Sequence, residues 1–349
     1  MYHFQELTSE QIRQTIDTEQ IFTEWMRISR EIDHRFRGAM AWKSVSGRKY
    51  LYRKTGAAWK SLGPQSEDTE RTHQQFHDGR DAAKGRLRAL TVRLDDMAAI
   101  NRAMRIGRLP LLTARVVRAL GRSGLIGTAF DIVGTNALYL YERLSGVRIA
   151  SRLLATGDVD LMFDARTKLK LIGGKNKPAN LMATLKTVDK SFQQTSKLSF
   201  RAANRDGFLV DVIMPANRDR LKNVGRTGIG GSGDDLVAVE IEGLEWLVNS
   251  PKVEATMIDE RGYPLICSCP DPRSFALHKL WLSKREDRDP LKRIRDRQQA
   301  ELVSTMLLHR LPHLRFDDPA LGAIPKTLRD QAEYLRDTYT GDQRDQPNW

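Results

Sequence analysis

Asp158 and Asp160 stand two positions apart in ATGDVDLMFDAR, residues 155–166. The apolar Leu161-Met162-Phe163 that follows makes the segment read as a strand. Residues i and i+2 of a strand share a face, so the two carboxylates lie side by side and repel. A cation would offset that repulsion. A third carboxylate, Asp211, interrupts another apolar run, GFLVDVIMP. Three carboxylates on adjacent strands are hard oxygen donors suited to two Mg²⁺ (or Mn²⁺) ions, which would bind triphosphate oxygens, activate an attacking hydroxyl and stabilise a leaving pyrophosphate. Upstream, Gly134-Thr135-Asn136 lies where FDIV gives way to ALYLYERL. Glycine lets a backbone approach a phosphate, and the following helix N-terminus and a hydroxyl can hold it. Singly, each feature has an ordinary reading: a strand-end D-x-D, a Gly-Thr turn, and a buried aspartate paired with an arginine. Their order along the chain carries the chemistry.

The elements that must position these residues follow from apolar periodicity. Residues 8–35 read as a helix capped by Thr8 or Ser9, with a helical stripe of apolar residues. A β-hairpin is expected at about 40–55 around Ser46-Gly47. Ser66 caps a long, polar connecting helix to about Ile106. Leu109–Leu120 forms a further helix, ended by Gly121-Arg-Ser-Gly124. Beyond residue 125 the pattern alternates. FDIVGTNALYLYERL reads strand, turn, helix, and RLLATGDVDLMFD reads as a strand. Residues 178–195 read as a helix; LSFRAAN, GFLVDVIMP, LVAVEIEGLEWLV and YPLICSC read as strands. GRTGIGGSGDD is expected to be a mobile loop near the site; it lacks the G-x-x-x-x-G-K-[ST] pattern of a phosphate loop. Two helices begin at Asp-Pro, at 271–272 and 289–290, where proline suits the first turn. A last helix is expected at about 324–339, with a loose tail. The fold class is α+β. A mixed sheet core (125–270) follows a mostly helical N-terminal region (1–124) carrying the hairpin and precedes a helical C-terminal part (271–349).

Composition bounds the setting. The 349 residues are 40% hydrophobic, enough for two domains or one with a large extension. No run approaches the roughly 20 apolar residues of a membrane span, and MYHFQELTSEQIRQ has no signal-peptide pattern. Cys267 and Cys269 are too close for an ordinary disulfide and lack a second pair for zinc, so they read as buried strand residues. These features point to a cytoplasmic protein without a membrane partner. The formal charge is +13. Residues 1–125 hold 23 Lys/Arg against 14 Asp/Glu, a local excess of +9, which favours anionic partners. From His34 to Ser66 there is no acidic residue, and Lys43, Arg48, Lys49 and Arg53 interleave with Trp42, Tyr50, Tyr52 and Trp59. Basic groups neutralise phosphates while aromatic rings stack on bases, so RNA or DNA is a candidate partner of the hairpin. The plain alternative is a small sheet packed on the long helix.

The ordered set Gly134-Thr135, Asp158-x-Asp160, Asp211 resembles the nucleotidyltransferase fold of the DNA polymerase β superfamily, whose signature is Gly-Ser, then Asp-x-Asp/Glu, then a third acidic residue on a later strand. VGTNALYLYE, TGDVDLMFDAR and PRSFALHKLWLSKREDRDPLKRIRDRQQA look more specifically like a bacterial family within it, related to the minimal and AbiEii-like nucleotidyltransferases. The likeness touches most of residues 40–305. Thr135 replaces the usual serine and keeps its hydroxyl. The 24 positions from Gly134 to Asp158 exceed the gap in compact members, as an insertion around SGVRIASRLLA would produce. The resemblance implies an enzyme that moves NMP from an NTP to an acceptor: RNA, a protein or a small molecule. Asp158 and Asp160 would hold both metal ions. Asp211 would complete the site beside the acceptor hydroxyl and serve as its base. Gly134, Thr135 and Asn136 would orient the triphosphate, and Lys279, on FALHKLWLSKRE, would face its phosphates unless it is merely a solvated helix lysine. Arg285, Arg288 and Asp289 would order that helix end. Asp164 reads as a strand-end turn residue and His278 as structural or exposed. Two alternatives remain: a catalytically inactive module binding nucleic acid, and a toxin-like transferase modifying tRNA or protein.

Overall fold

A computed structural model describes residues 4–154, 156–167, 180–216, 229 and 235–336. The chain divides into two compact units, Glu10–Ile106 with Arg261–Pro264, and Met1–Ser9 with Gly107–Glu260 and Leu265–Trp349.

The smaller unit contains helix α1 (Ser9–Arg35), strands β1 (Ala39–Val45), β2 (Arg48–Thr55) and β3 (Ala58–Pro64), and helix α2 (Glu67–Ala103). Ser46 and Gly47 take positive φ values of 50° and 79° in the β1–β2 turn, the left-handed pair that a two-residue hairpin requires. The hairpin continues into a third antiparallel strand, β3, which the sequence reading did not separate from it. Ser66 caps α2 in a capping box with Thr69. Ile28, Phe36, Met40, Leu51, Phe76 and Ala83 make the core of the unit. Gly79 is required there: a Cβ would lie 2.8 Å from the Phe36 ring.

The larger unit begins with α3 (Leu111–Arg122) and strand β4 (Phe130–Val133), which leads through the turn Gly134–Asn136 into α4 (Ala137–Ser145). Then follow β5 (Asp158–Phe163), α5 (Leu181–Val188), β6 (Gln193–Gln194), β7 (Arg201–Ala203), β8 (Leu209–Pro215), β9 (Val239–Ile241), α6 (Leu244–Asn249), β10 (Lys252–Ile258), β11 (Pro264–Pro270), α7 (Pro272–Ser283) and α8 (Pro290–Arg310). Six strands form a mixed sheet in the order β4-β5-β8-β7-β6, with β9 beside β8. β8 runs parallel to β5 and β9, and antiparallel to β7.

Alternation sorts the two faces of this sheet. Val159, Leu161, Phe163, Val210 and Val212 enter the main core, so Asp158, Asp160 and Asp211 project from the opposite face. On that face Val133, Met162 and Ile213 join α6 in a small apolar cluster. The fold is the α+β mixed-sheet architecture expected.

Four local readings are corrected. Ser151–Leu154 is one helical turn rather than strand. In LVAVEIEGLEWLV only Val239–Ile241 is strand. Gly243, with φ of 85°, starts α6, which buries Leu244, Leu247 and Val248 at helical spacing. The helix expected at 178–195 is confined to Leu181–Val188 among the described residues. The last helix is interrupted after Arg329, resumes to residue 336, and beyond that lies outside the described residues. Most of GRTGIGGSGDD also lies outside them. Val147–Arg148 pairs with Gln5–Glu6 ahead of the Ser151 turn.

Candidate active site

One rung of the sheet assembles the site. Val133 on β4 pairs with Asp160 on β5, Asp160 with Asp211 on β8, and Asp211 with Arg201 on β7. Directly paired residues share a face, and Asp158 joins them one pleat along. Asp160 and Asp211 are thus directly paired, and Asp158 lies on the same face, although 53 positions separate Asp158 from Asp211.

Gly134 takes φ of 64° at the end of β4, and a Cβ there would lie 2.3 Å from Asp160 Oδ2. The bare glycine lets that carboxylate sit against the turn. Asn136 Nδ2 donates to the Asp158 backbone oxygen at 2.7 Å, tying the turn to β5. Thr156 donates its hydroxyl to the Asp158 carboxylate. Thr135 Oγ1 accepts from Gln299 Nε2 on α8 at 3.2 Å.

Burial, with Asp158 and Asp211 adding, pushes the Asp160 carboxyl from 3.8 up to about 6; Lys279 and Arg201 oppose the shift. Arg201 grips Asp211 through Nε–Oδ1 at 2.7 Å and Nη2–Oδ2 at 2.5 Å. This bidentate bond raises the Arg201 pKa. Asp211 is thus a buried aspartate paired with an arginine, and it stands in register with Asp160.

Lys279 is buried rather than solvated. Its Nζ donates to Asp296 Oδ1 at 2.7 Å, and Arg288 Nε donates to Asp296 Oδ2 at 2.7 Å. Burial lowers the Lys279 pKa and Asp296 opposes that shift. His278 is buried as well, and burial pulls its pKa down to about 3, so it is a neutral packing residue beside Trp246 and Trp281. Asp164 turns back onto Arg166 just past β5.

The donor set suits a hard divalent cation, because it offers carboxylate oxygens in a negative, partly desolvated rung. As the side chains stand, no group of three or more His, Cys, Asp or Glu among the described residues is arranged to hold a metal. Arg201 already bonds both oxygens of Asp211.

Sequence reasoning missed Arg201, Gln299 and Asp296. A strand arginine facing a strand aspartate gives no local signal, and the other two come from a helix more than 130 positions beyond Asp158. Gln299 is fully buried, and its Oε1, like Asn136 Oδ1, has no hydrogen-bond partner among the described residues.

The hairpin cations are divided between two faces. Lys43 and Arg48 share the outer face of their sheet with Tyr50 and Tyr52, while Lys49 and Arg53 lie on the face of the buried Leu51. Arg53 Nη2 donates to the backbone oxygens of Arg35 and Arg37, and burial lowers its pKa.

The mixed sheet thus carries Asp160 and Asp211 on one rung, with Asp158 one pleat along, beside a strand–glycine–helix turn. A family model described as nucleotidyltransferase matches residues 112–324, well over half of the chain and all of the rung, so the chain belongs to that nucleotidyltransferase family. No curated protein and no solved structure matches it. No described helix is long and apolar enough to cross a membrane.

Proposed function

We propose that this protein transfers a nucleoside monophosphate from an NTP to an acceptor hydroxyl. The observation carrying the proposal is the rung of Asp160 and Asp211, with Asp158 one pleat away and Gly134 against it. In the reaction, the acceptor oxygen bonds to Pα as the bond from Pα to the β-phosphate oxygen breaks, and pyrophosphate leaves. Mg²⁺ or Mn²⁺ held by Asp158, Asp160 and Asp211 would neutralise phosphate charge and lower the pKa of the acceptor hydroxyl. Asp211 would take the hydroxyl proton. The freed backbone N–H groups after Gly134 and the Thr135 hydroxyl would orient the triphosphate. Lys279, held by Asp296, would contribute positive potential near Asp160 rather than a direct phosphate contact.

The Arg201–Asp211 pair also favours a second reading, a non-catalytic module whose acidic rung is satisfied internally. One experiment separates the two. The protein is incubated with each α-labelled NTP, Mn²⁺ or Mg²⁺, and total RNA or lysate, beside Asp160→Asn. Label that becomes covalent with the native protein and is lost with the variant supports transfer. No labelling with any NTP, together with no metal-dependent NTP binding, overturns it and leaves the module.

A further inference from the structure

The sheet of the smaller unit has one face packed and one open. Met40 and Leu51 turn inward to Phe36 and Phe76. Strand alternation then puts Lys43, Arg48, Tyr50, Tyr52, Lys54 and Trp59 together on the outer face. The contacts agree with that assignment: Lys43 Nζ lies 3.8 Å from the Trp59 ring centroid and 5.2 Å from that of Tyr52, and Lys54 Nζ lies 5.8 Å from Trp59. Trp59 is 36% exposed. Lys43 and Lys54 sit over rings, and the whole segment from His34 to Ser66 holds no carboxylate.

We propose that this outer face binds single-stranded nucleic acid. Charge complementarity selects a polyanion, because three cations and no acid share the face. The rings select the kind of polyanion. An acidic peptide offers carboxylates but no regular series of flat groups to stack, and a duplex hides its base faces. A single strand offers both, a phosphate and an open base face at every residue. In the free protein the Lys43 ammonium covers the Trp59 ring. On binding, it moves to a phosphate and the ring takes a base. This proposal does not depend on transfer chemistry in the larger unit.

The test uses the full chain with fluorescein-labelled oligo-U and oligo-dT, titrated by anisotropy over a range of salt. Log K should fall linearly with log salt, at a slope of about −0.7 per phosphate contact. Lys43→Ala with Arg48→Ala should reduce that slope by about 1.4. Trp59→Ala should weaken binding roughly five- to a hundredfold and leave the slope alone. Lys49→Ala is the internal control. It carries the same charge on the same strand but on the other face, and should change neither quantity. Preference for oligo-U or oligo-dT identifies RNA or DNA as the partner. Three results overturn the proposal: no binding to either strand at low salt, equal effects of Lys49→Ala and Arg48→Ala, or competition by polyglutamate together with an indifferent Trp59→Ala. The last marks a surface for an acidic protein instead.

Discussion

Asp160→Asn separates what the rung does for chemistry from what it costs the fold. The Asp160 carboxyl titrates near 3.8 when unfolded and near 6 when folded, because burial and the neighbouring Asp158 and Asp211 disfavour its charge. A carboxyl with a raised folded pKa holds more protons in the folded state than in the unfolded one, so stability falls as pH rises. The loss begins near pH 4 and is complete above about pH 6. At about 1.36 kcal/mol per pH unit, the full penalty has a ceiling of about 3 kcal/mol. Residual solvent contact at Asp160 lowers it, so about 1–3 kcal/mol is expected. Asparagine keeps the shape and cannot ionise. In EDTA at pH 8, urea unfolding followed by far-UV circular dichroism should place the variant above the native protein by that amount. At or below pH 4 the two curves should coincide. With Mn²⁺ the native protein should gain stability and the variant less, because a ligand stabilises the state that binds it. A variant less stable than the native protein at pH 8, or an offset that does not change with pH, would refute the reasoning and make Asp160 a structural residue.

Gly134→Ala adds about 1–2 kcal/mol of left-handed strain and a Cβ at 2.3 Å from Asp160 Oδ2; nucleotide transfer should fall at least about a hundredfold, measured beside a melt showing the fold retained. Arg201→Gln leaves Asp211 without its guanidinium. It should cost about 1–3 kcal/mol in chelator, with Mn²⁺ restoring more stability than it adds to the native protein; a deficit that Mn²⁺ leaves untouched argues against a cation at Asp211. Burial pushes the Cys267 thiol up to about 12 and raises Cys269 too, so a thiol reagent at pH 8 should label neither in the native protein and both in denaturant.

The acidic rung shows how the sequence and the tertiary structure divide the work. Asp158 and Asp160 were legible because a strand has period two, which puts both carboxylates on one face of an apolar run whatever surrounds it. Gly134-Thr135 was legible because the strand-to-helix change demanded a turn there. Ser46-Gly47 and Ser66 were legible for the same kind of reason: a left-handed turn and a helix cap each need particular residue types within four positions. Apolar patterning misread LEWLV, where a short apolar run fits a strand and a helix equally, and only the positive φ of Gly243 and burial at helical spacing decide. The sequence could not say that Asp211 lies in register with Asp160 rather than one pleat away. That depends on β8 entering the sheet parallel to β5, and a shift of one residue would have turned Asp211 into the core. It also could not show that Arg201 lies on the far side of Asp211, that Gln299 reaches Thr135 from a distant helix, or that Arg48 and Lys49 face opposite ways. Local geometry is set by neighbours in the chain; charge pairing, register and burial are set by residues that only folding brings together.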